Sequence, residues 1–567
     1  MPTPSRARVL LSPDGLSDLF RFPVRRVLSA GSEIAVACGV SLVFAYWATT
    51  INVNPTTRVG QVSGLAELQF RLLVIGLPML AIVTLSAFRG SARLHRMLVR
   101  LSCAAVAGLA TGFMAGGIVV ALHGTPWPLA GQGDDNGALA DWANIIIKSG
   151  HLTTIYPPLL PHLQAWWAVQ FTHSEPSLAM KQLQTIMIAL GGPAAYLSWR
   201  MFLRPLPALG VGMLAGIPLI LPYKPYSVLT LIILVPLLGK FLQILRRAPR
   251  RPLRETVWLG LFTGAGLAVL FLLYAGWHVW SAPGLLIAML AVFPWRSGRI
   301  GVLRALAFLG SAGLAFAVLA AKYTMVLLSA TATKDRWCSP MVLVDPGYIG
   351  MSPYPYKGAS ALGGWPPPGE FGGVGWFSVL LVLGIGVALA LGLHRSPVIV
   401  AAACFFSAWV IRFWISSNLE RDQAVQLYVR TFHQILYCGL VLLGWSVVLV
   451  GRWAHRRLQA LPEITGLPTS AASRARLPAI GVLTAGLLFG GMAASATADS
   501  YMPEDPQYGW QSGQAWVAQQ IRKPDGHCPK YANHGQCSEP RQYATHVPAT
   551  SPDSGTLGTC EYPWKKN

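Results

Sequence analysis

Residues 101–122 read LSCAAVAGLATGFMAGGIVVAL, a run of 22 residues without a charge. A helix of about this length crosses a hydrocarbon core of about 30 Å. Similar runs recur along the 567 residues, of which 53% are hydrophobic and 12% charged. They predict thirteen membrane spans, at residues 32–50, 65–88, 101–122, 180–199, 206–222, 227–245, 256–274, 281–295, 302–328, 373–393, 397–415, 431–451 and 478–497. The sequence therefore predicts an all-α polytopic membrane protein.

Basic residues occupy alternate loops between these spans. Arginines cluster before the first span and after the second, fourth, sixth, eighth and twelfth spans. Because cytoplasmic loops carry an excess of Lys and Arg, these loops are predicted to be cytoplasmic, with the N-terminus inside and the C-terminus outside. The formal net charge of +22 then lies mostly beside lipid headgroups. This placement makes membrane lipids the expected partners and excludes nucleic acid.

Two adjacent acids follow the run at 101–122, in the segment Gly131-Gln-Gly-Asp-Asp-Asn-Gly137. Asp134 and Asp135 are candidate catalytic residues, because a carboxylate at the membrane surface can deprotonate a sugar hydroxyl as a general base. The alternative is that the pair caps a helix predicted at residues 138–148. Capping does not exclude chemistry, and both interpretations stay open.

The loop at 123–179 is the first of the large segments on the predicted outer side. It contains Tyr156 and His162. We regard both as candidates for contacts with the acceptor, the molecule whose sugar hydroxyl would be deprotonated. Its stretch 163–171 is rich in Trp and too short to span, so it predicts a helix lying in the membrane interface.

The second large outer loop, 329–372, contains Trp365 and Glu370 on either side of three consecutive prolines and a glycine. The prolines cannot be helical and predict a rigid extended lead into the next span. Glu370 either lines an acceptor groove or caps the following helix.

Ionisable residues at the edges of spans complete the candidates: Lys224, His278, Arg412 and Arg430. Such residues either bind an anion or extend to the lipid headgroups, with His278 otherwise an interfacial histidine between aromatic residues.

Cysteines and composition divide the chain further. Four cysteines fall on the predicted outer side: Cys338, Cys528, Cys537 and Cys560. They permit two disulfides in an oxidising compartment, with three connectivities. No metal-ligand spacing occurs, although a divalent cation shared by the carboxylates and a phosphate is left open.

The predicted regions are 1–100 with the first two spans, a membrane core at 101–497, and a small, separately folded C-terminal domain at 498–567 that depends on disulfides.

Several segments together resemble the GT-C glycosyltransferases, membrane enzymes that use polyprenyl-phosphate sugars as donors. They are an acidic motif in the first outer loop, a Tyr-Pro-Pro segment before an interfacial helix, and many further spans. Within that group the chain is most similar to the actinobacterial galactan 5-O-arabinofuranosyltransferases, over roughly residues 100 to 560. The segments that carry this likeness are Pro222-Tyr-Lys-Pro-Tyr226, Trp365-Pro-Pro-Pro-Gly-Glu370 with Gly372-Gly-Val-Gly375, and Gln426-Leu-Tyr-Val-Arg-Thr431 followed by Ile435-Leu-Tyr-Cys438.

The resemblance implies a GT-C-like fold in the plasma membrane, with the active site on the extracytoplasmic face. It implies transfer of arabinofuranose from decaprenyl-phospho-arabinofuranose to cell-wall galactan, with no required cofactor. Asp134 or Asp135 would be the base, and Lys224, Arg412, Arg430 and His278 would meet the donor phosphate. Two alternatives stay open: a transferase with another polyprenyl-phosphate sugar or another acceptor, and a transporter or flippase of lipid-linked sugars, for which internal repeats would be expected.

Overall fold

The computed structural model describes residues 24–152, 155–329, 376–422, 430–459, 477–507 and 509–541. Four of the candidate residues lie outside these ranges: Cys338, Trp365, Glu370 and Cys560.

The described chain is built almost wholly of α-helices. They are α1 (Val24–Ala48), α2 (Arg58–Arg89), α3 (Ala92–Ala121), α4 (Asp134–Ser149), α5 (Leu159–Phe171), α6 (Pro176–Arg200), α7 (Pro205–Gly216), α8 (Pro225–Arg247), α9 (Leu253–Leu273), α10 (Gly276–Val292), α11 (Gly298–Ser329), α12 (Trp376–Gly392), α13 (Ser396–Ser417), α14 (Leu419–Asp422), α15 (Thr431–Gln459), α16 (Leu477–Ser500) and α17 (Trp510–Gln519). Short 3₁₀ turns follow α7 at Ile217–Leu219 and α8 at Ala248–Arg250, and another lies at Asn533–Gly535. Within the described ranges, the only β pairing is a bridge between Ile521 and Ser538.

Each of the thirteen predicted spans coincides with one of these helices. Nine helices of the described chain are long and apolar enough to cross a membrane: α1, α2, α3, α8, α9, α11, α13, α15 and α16. Three predicted spans form shorter apolar helices, α7, α10 and α12, and α6 is the thirteenth. The prediction of an all-α polytopic membrane protein is confirmed.

Helix α3 lies at the centre of the bundle, with nearly every residue from Ser102 to Ala121 buried. Its Ala and Gly residues allow α1, α6 and α16 to approach closely, as small residues do at membrane helix contacts. At Gly108, for example, an added Cβ would overlap the carbonyl oxygen of Ala37 on α1. The run that defines the fold class in the sequence is therefore an inner helix of the bundle.

The helix ends assigned to the outer side meet at one end of the bundle. There α4 packs against α5 and α6, and the exposed Trp166 on α5 agrees with an interfacial helix. Helix α5 begins at Leu159, four residues before the predicted start.

The described part of the C-terminal tail packs on the first outer loop. The Thr125 hydroxyl donates to the Ala518 carbonyl at 2.7 Å, and the Trp127 indole N–H donates to the Ile521 carbonyl at 3.0 Å. Ala518 and Ile521 belong to the main hydrophobic core, and a disulfide joins Cys528 to Cys537. The described part of the tail, up to residue 541, therefore shares the hydrophobic core of the loop on which it packs.

Candidate active site

Buried polar side chains position the turn that carries the two acids. Lys181 on α6 donates to the Leu122 carbonyl at 3.1 Å, at the C-terminal end of α3. Gln184, one turn along α6, accepts from the Leu129 backbone N–H at 3.2 Å, and the Asn136 side chain donates to the Leu129 carbonyl at 2.7 Å. The turn is thus anchored both to α6 and to the first turn of α4.

The two acids are the first two residues of α4, so the helix begins four residues before the predicted residue 138. Its N-cap is Gly133, and no side chain caps it. The capping interpretation in its simple form is therefore wrong, although acids in the first turn still favour the positive end of the helix dipole.

Asp134 lies in the left-handed region, with a φ of 50°, which is unusual for a residue other than glycine. Its side chain is accessible to solvent, and no side chain of the described residues pairs with it. Partial burial, and then the negative charge of Asp135, raise the pKa of the Asp134 carboxyl above its ordinary value. Strained backbone of this kind is concentrated at functional sites.

Asp135 has a different environment. Its carboxylate forms an ion pair with Lys224, and its backbone N–H donates to the Tyr223 hydroxyl at 2.8 Å. Burial raises its pKa, but the positive charges of Lys224 and Arg430 outweigh this effect and hold the pKa below its ordinary value. Lys224 itself is 8% exposed, and burial together with the charge of Arg430 lowers its pKa to about 8.

Three tyrosines connect this ion pair to Arg430. The Arg430 guanidinium donates to the Tyr274 hydroxyl at 3.3 Å, and the rings of Tyr274 and Tyr226 lie 6.3 Å apart between centroids. The Tyr226 hydroxyl is hydrogen-bonded to that of Tyr156, whose ring packs on Trp142 at 4.5 Å. Residues from the first outer loop, the α7–α8 turn, the end of α9 and the start of α15 thus form one cluster.

The structure brings some predicted site residues together and separates others. Lys224, Arg430 and Tyr156 lie in this cluster. Arg412 is buried one helix away, where its guanidinium donates to the Thr431 hydroxyl at 3.5 Å.

His278 and His162 lie outside the cluster. The ring of His278 packs edge-on against Phe271 at 5.4 Å, on the side of α10 that faces α9 and α11. His162 is exposed on α5, where its Nδ1 lies 2.7 Å from the carbonyl of Pro158, the N-cap of that helix.

Sequence reasoning did not single out Tyr223, Tyr226 or Tyr274. The first two flank Lys224 in the segment Pro222–Tyr226, so their spacing was an available signal. Tyr274 had none, because a tyrosine at the end of a span is common at the membrane interface.

The arrangement provides one accessible carboxylate beside a second one that is neutralised by a lysine. It also provides a buried arginine and several hydroxyl groups at the same end of the bundle. Among the residues that the structure describes, no three His, Cys, Asp or Glu side chains come together as metal ligands would. The cluster is suited to taking a proton from one group while stabilising negative charge on another.

No protein-family model matches this chain, and no curated protein sequence matches it. Among solved structures it is similar to the apo oligosaccharyltransferase of Archaeoglobus fulgidus, with a TM-score of 0.40 and 14% sequence identity. The match covers 78% of this chain and 62% of the oligosaccharyltransferase, so the chain spans less than two thirds of that protein's length.

Proposed function

We propose that this chain is an integral membrane glycosyltransferase that moves a sugar from a polyprenyl-phosphate donor to a glycan acceptor. The observation that carries the proposal is the accessible Asp134 carboxylate beside the Asp135–Lys224 pair and Arg430. This cluster lies where α8 begins, and a donor held in the bilayer has its sugar–phosphate bond at that level.

Asp134 is the general base of the proposed reaction. A base must have a free lone pair and enough basicity to accept a proton. The raised pKa of the Asp134 carboxyl increases its basicity. Asp135 is less suitable, because its ion pair with Lys224 and its lowered pKa make it a weaker base. Its role is to hold Lys224 in place.

Lys224 and Arg430 meet the donor phosphate. As the acceptor oxygen bonds to the anomeric carbon, the bond from that carbon to the phosphate oxygen breaks and its electrons remain on the phosphate. Preorganised cations stabilise the charge that develops there. The acceptor proton passes to Asp134, and direct displacement inverts the anomeric centre.

The sugar we propose is arabinofuranose, carried by decaprenyl phosphate, and the acceptor is cell-wall galactan. Support comes from the two segments that resemble the arabinofuranosyltransferases. Pro222–Tyr226 supplies Lys224, and the segment 426–431 supplies Arg430. About 200 residues separate these segments, yet Arg430 lies close enough for its charge to lower the pKa of Lys224. This proximity is expected if both residues serve one substrate.

The proposed location is the plasma membrane, with the active site on the extracytoplasmic face. The arginine-rich loops lie at the opposite end of the bundle from Asp134, which under the positive-inside rule is the cytoplasmic end. A lipid-linked donor is the form in which an activated sugar is available outside the cell, where nucleotide sugars are absent.

The test supplies the purified chain, reconstituted in vesicles, with radiolabelled decaprenyl-phospho-arabinofuranose and a galactan oligosaccharide. The expected result is label in the oligosaccharide, and none with Asp134→Asn. A matched reaction with a polyprenyl-phospho-mannose donor distinguishes the sugar. If no donor labels any glycan while labelled lipid crosses the bilayer, the chain is a flippase and the proposal fails.

A further inference from the structure

A cavity of about 500 Å³ opens at the end of the bundle opposite to Asp134. It lies between the C-terminal ends of α6 and α8 and the N-terminal end of α13. Its lining includes Gln243, Arg246, Arg247, Arg250, His394 and Arg395.

The lining is strongly basic. Four arginines and a histidine face this volume, and none of its described lining residues is acidic. Two described acids pair with arginines that do not line the cavity: Glu33 lies 3.0 Å from Arg100 and 2.9 Å from Arg200, and Glu255 pairs with Arg251. Among the residues that the structure describes, no acid forms an ion pair with Arg247 or Arg250, so these two charges are not neutralised there.

Polar groups suited to an anion accompany these charges. Helix α13 begins at Ser396 without a side-chain cap, so the backbone N–H groups of Ser396 and Val398 meet no capping side chain, while Pro397 between them has no N–H. Trp445 lies at the inner wall of the cavity and is 2% exposed, with its indole N–H buried away from the open volume.

The position of the cavity indicates the kind of anion. Helix α8 begins next to Lys224 and ends at Arg247, and at 1.5 Å per residue it is roughly 33 Å long. This length is close to the thickness of a hydrocarbon core, so the cavity lies at the level of the opposite layer of headgroups. Basic pockets between membrane helices on the cytoplasmic side bind anionic lipid headgroups.

We propose that this cavity binds a phosphate group, most naturally that of an anionic phospholipid in the cytoplasmic leaflet. Arg246, Arg247, Arg250 and Arg395 surround the phosphate oxygens, and the N-terminus of α13 completes the site. The proposal is independent of the transferase activity at the other end.

The competing explanation is that these arginines only set the orientation of the loops, as basic residues do in many membrane proteins. A matched pair of double variants separates the two. Arg247→Gln with Arg250→Gln removes two lining charges that make no hydrogen bond to another described side chain. Arg93→Gln with Arg96→Gln removes the same charge from exposed positions at the start of α3, outside the cavity.

Native mass spectrometry of the full chain in detergent measures the binding of phosphatidylglycerol and phosphatidylcholine. We expect the unmodified chain and the Arg93/Arg96 variant to prefer phosphatidylglycerol. The Arg247/Arg250 variant should lose affinity by roughly tenfold or more, because charge-assisted contacts to phosphate are lost. A thermal melt of both variants confirms that they are folded.

Inorganic phosphate, added as a competitor, identifies the source of the bound group. Retention of phosphatidylglycerol in its presence supports a lipid site, and displacement supports a site for free phosphate. Equal losses in both double variants would show an unspecific effect of charge and overturn the proposal. So would the absence of any preference for phosphatidylglycerol in the unmodified chain together with no binding of inorganic phosphate.

Discussion

Two neighbouring carboxylates have opposite electrostatic environments in this protein. Asp134 is accessible and its pKa is raised, whereas Asp135 is paired with Lys224 and its pKa is lowered. Adjacent residues at the start of a helix point in different directions, so one reaches solvent and the other the α7–α8 turn. In the proposed reaction this division gives proton transfer to the first acid and positioning to the second.

Single Asn variants test that division. Asp134→Asn keeps the size and hydrogen bonding of the side chain but removes its basicity, and should lower kcat by about 10²–10⁴ with unchanged thermal stability. Asp135→Asn leaves Lys224 without its counter-ion and should raise the donor KM more than it lowers kcat. Steady-state kinetics of both variants measure the difference. Normal transfer rates in Asp134→Asn would place the base elsewhere, and Glu370 would be the next residue to substitute.

The pH dependence of the proposed reaction, with Asp134 as base and Lys224 at the phosphate, follows from the same shifts. Asp134 acts only when deprotonated, so kcat should fall as the pH decreases through its pKa, which is above the usual 3.8. Lys224 binds phosphate only when protonated, so donor affinity should fall as the pH rises through about 8. Lys224→Arg keeps its proton in this range and should abolish the alkaline loss. An unchanged alkaline limb in that variant would show that another group titrates.

Much of the cluster was accessible to prediction from single residues, but their adjacency was not. Asp135, Lys224 and Arg430 stand out because charge is rare near the spans of so apolar a chain. Their contacts join positions 88 or more residues apart, and spacing along the sequence contains no signal for such pairing. The direction of the His278 side chain was not predictable in this way. Trp277 and His278 are adjacent on α10, yet Trp277 points toward Ser227 and His278 toward Phe271.

At the scale of helices, small residues determine how closely neighbours pack. Helices α9 and α11 are an example, because an added Cβ at Gly264 would overlap the carbonyl oxygen of Ala312. Gly313, on the same pair of helices, has open space around its Cβ position. The two glycines therefore have different roles although they look alike in the sequence.

Alanine at these two positions should have opposite effects. Gly264→Ala forces α9 and α11 apart and should destabilise the protein by about 1–3 kcal/mol. Gly313→Ala meets no neighbour and should be neutral or stabilising by up to about 1 kcal/mol, because alanine favours the helix. Thermal melts in detergent measure both. Equal melting temperatures for the two variants would contradict the close packing of α9 on α11.

The helices themselves were largely predictable, since apolar runs without charge specify spans directly. The starts of α4 and α5 were not, because they lie in a polar loop where hydrogen bonds to distant residues decide the conformation. Gln184 and Asn136 fix the Leu129 turn and so allow α4 to begin at Asp134.

At the scale of the whole molecule, the tail contacts the turn that precedes the candidate active site. Ala130 has a φ of 63°, and its backbone N–H donates to the Gln514 carbonyl at 2.9 Å. Replacing Cys528 and Cys537 by serine should destabilise the tail by roughly 2–3 kcal/mol, as expected for a short closed loop. Hydrogen exchange should then rise in residues 124–133, and transfer should slow. Cys38→Ala serves as the control, and an increase confined to residues 523–540 would show that the tail does not support the turn.

The orientation of the molecule in the membrane determines whether the two proposed sites can function. Ser149 lies at the C-terminal end of α4, the helix that begins at Asp134, and Ser297 lies beside the Ala248–Arg250 turn next to the basic cavity. Both are exposed, so cysteine at either position should react with a maleimide once cells are permeabilised. In intact cells we expect an impermeant maleimide to label Ser149→Cys above the background of the native cysteines and to leave Ser297→Cys unlabelled, because arginine-rich loops stay in the cytoplasm. The reverse pattern would put Asp134 inside the cell, where nucleotide sugars are available, and would remove the reason for a lipid-linked donor.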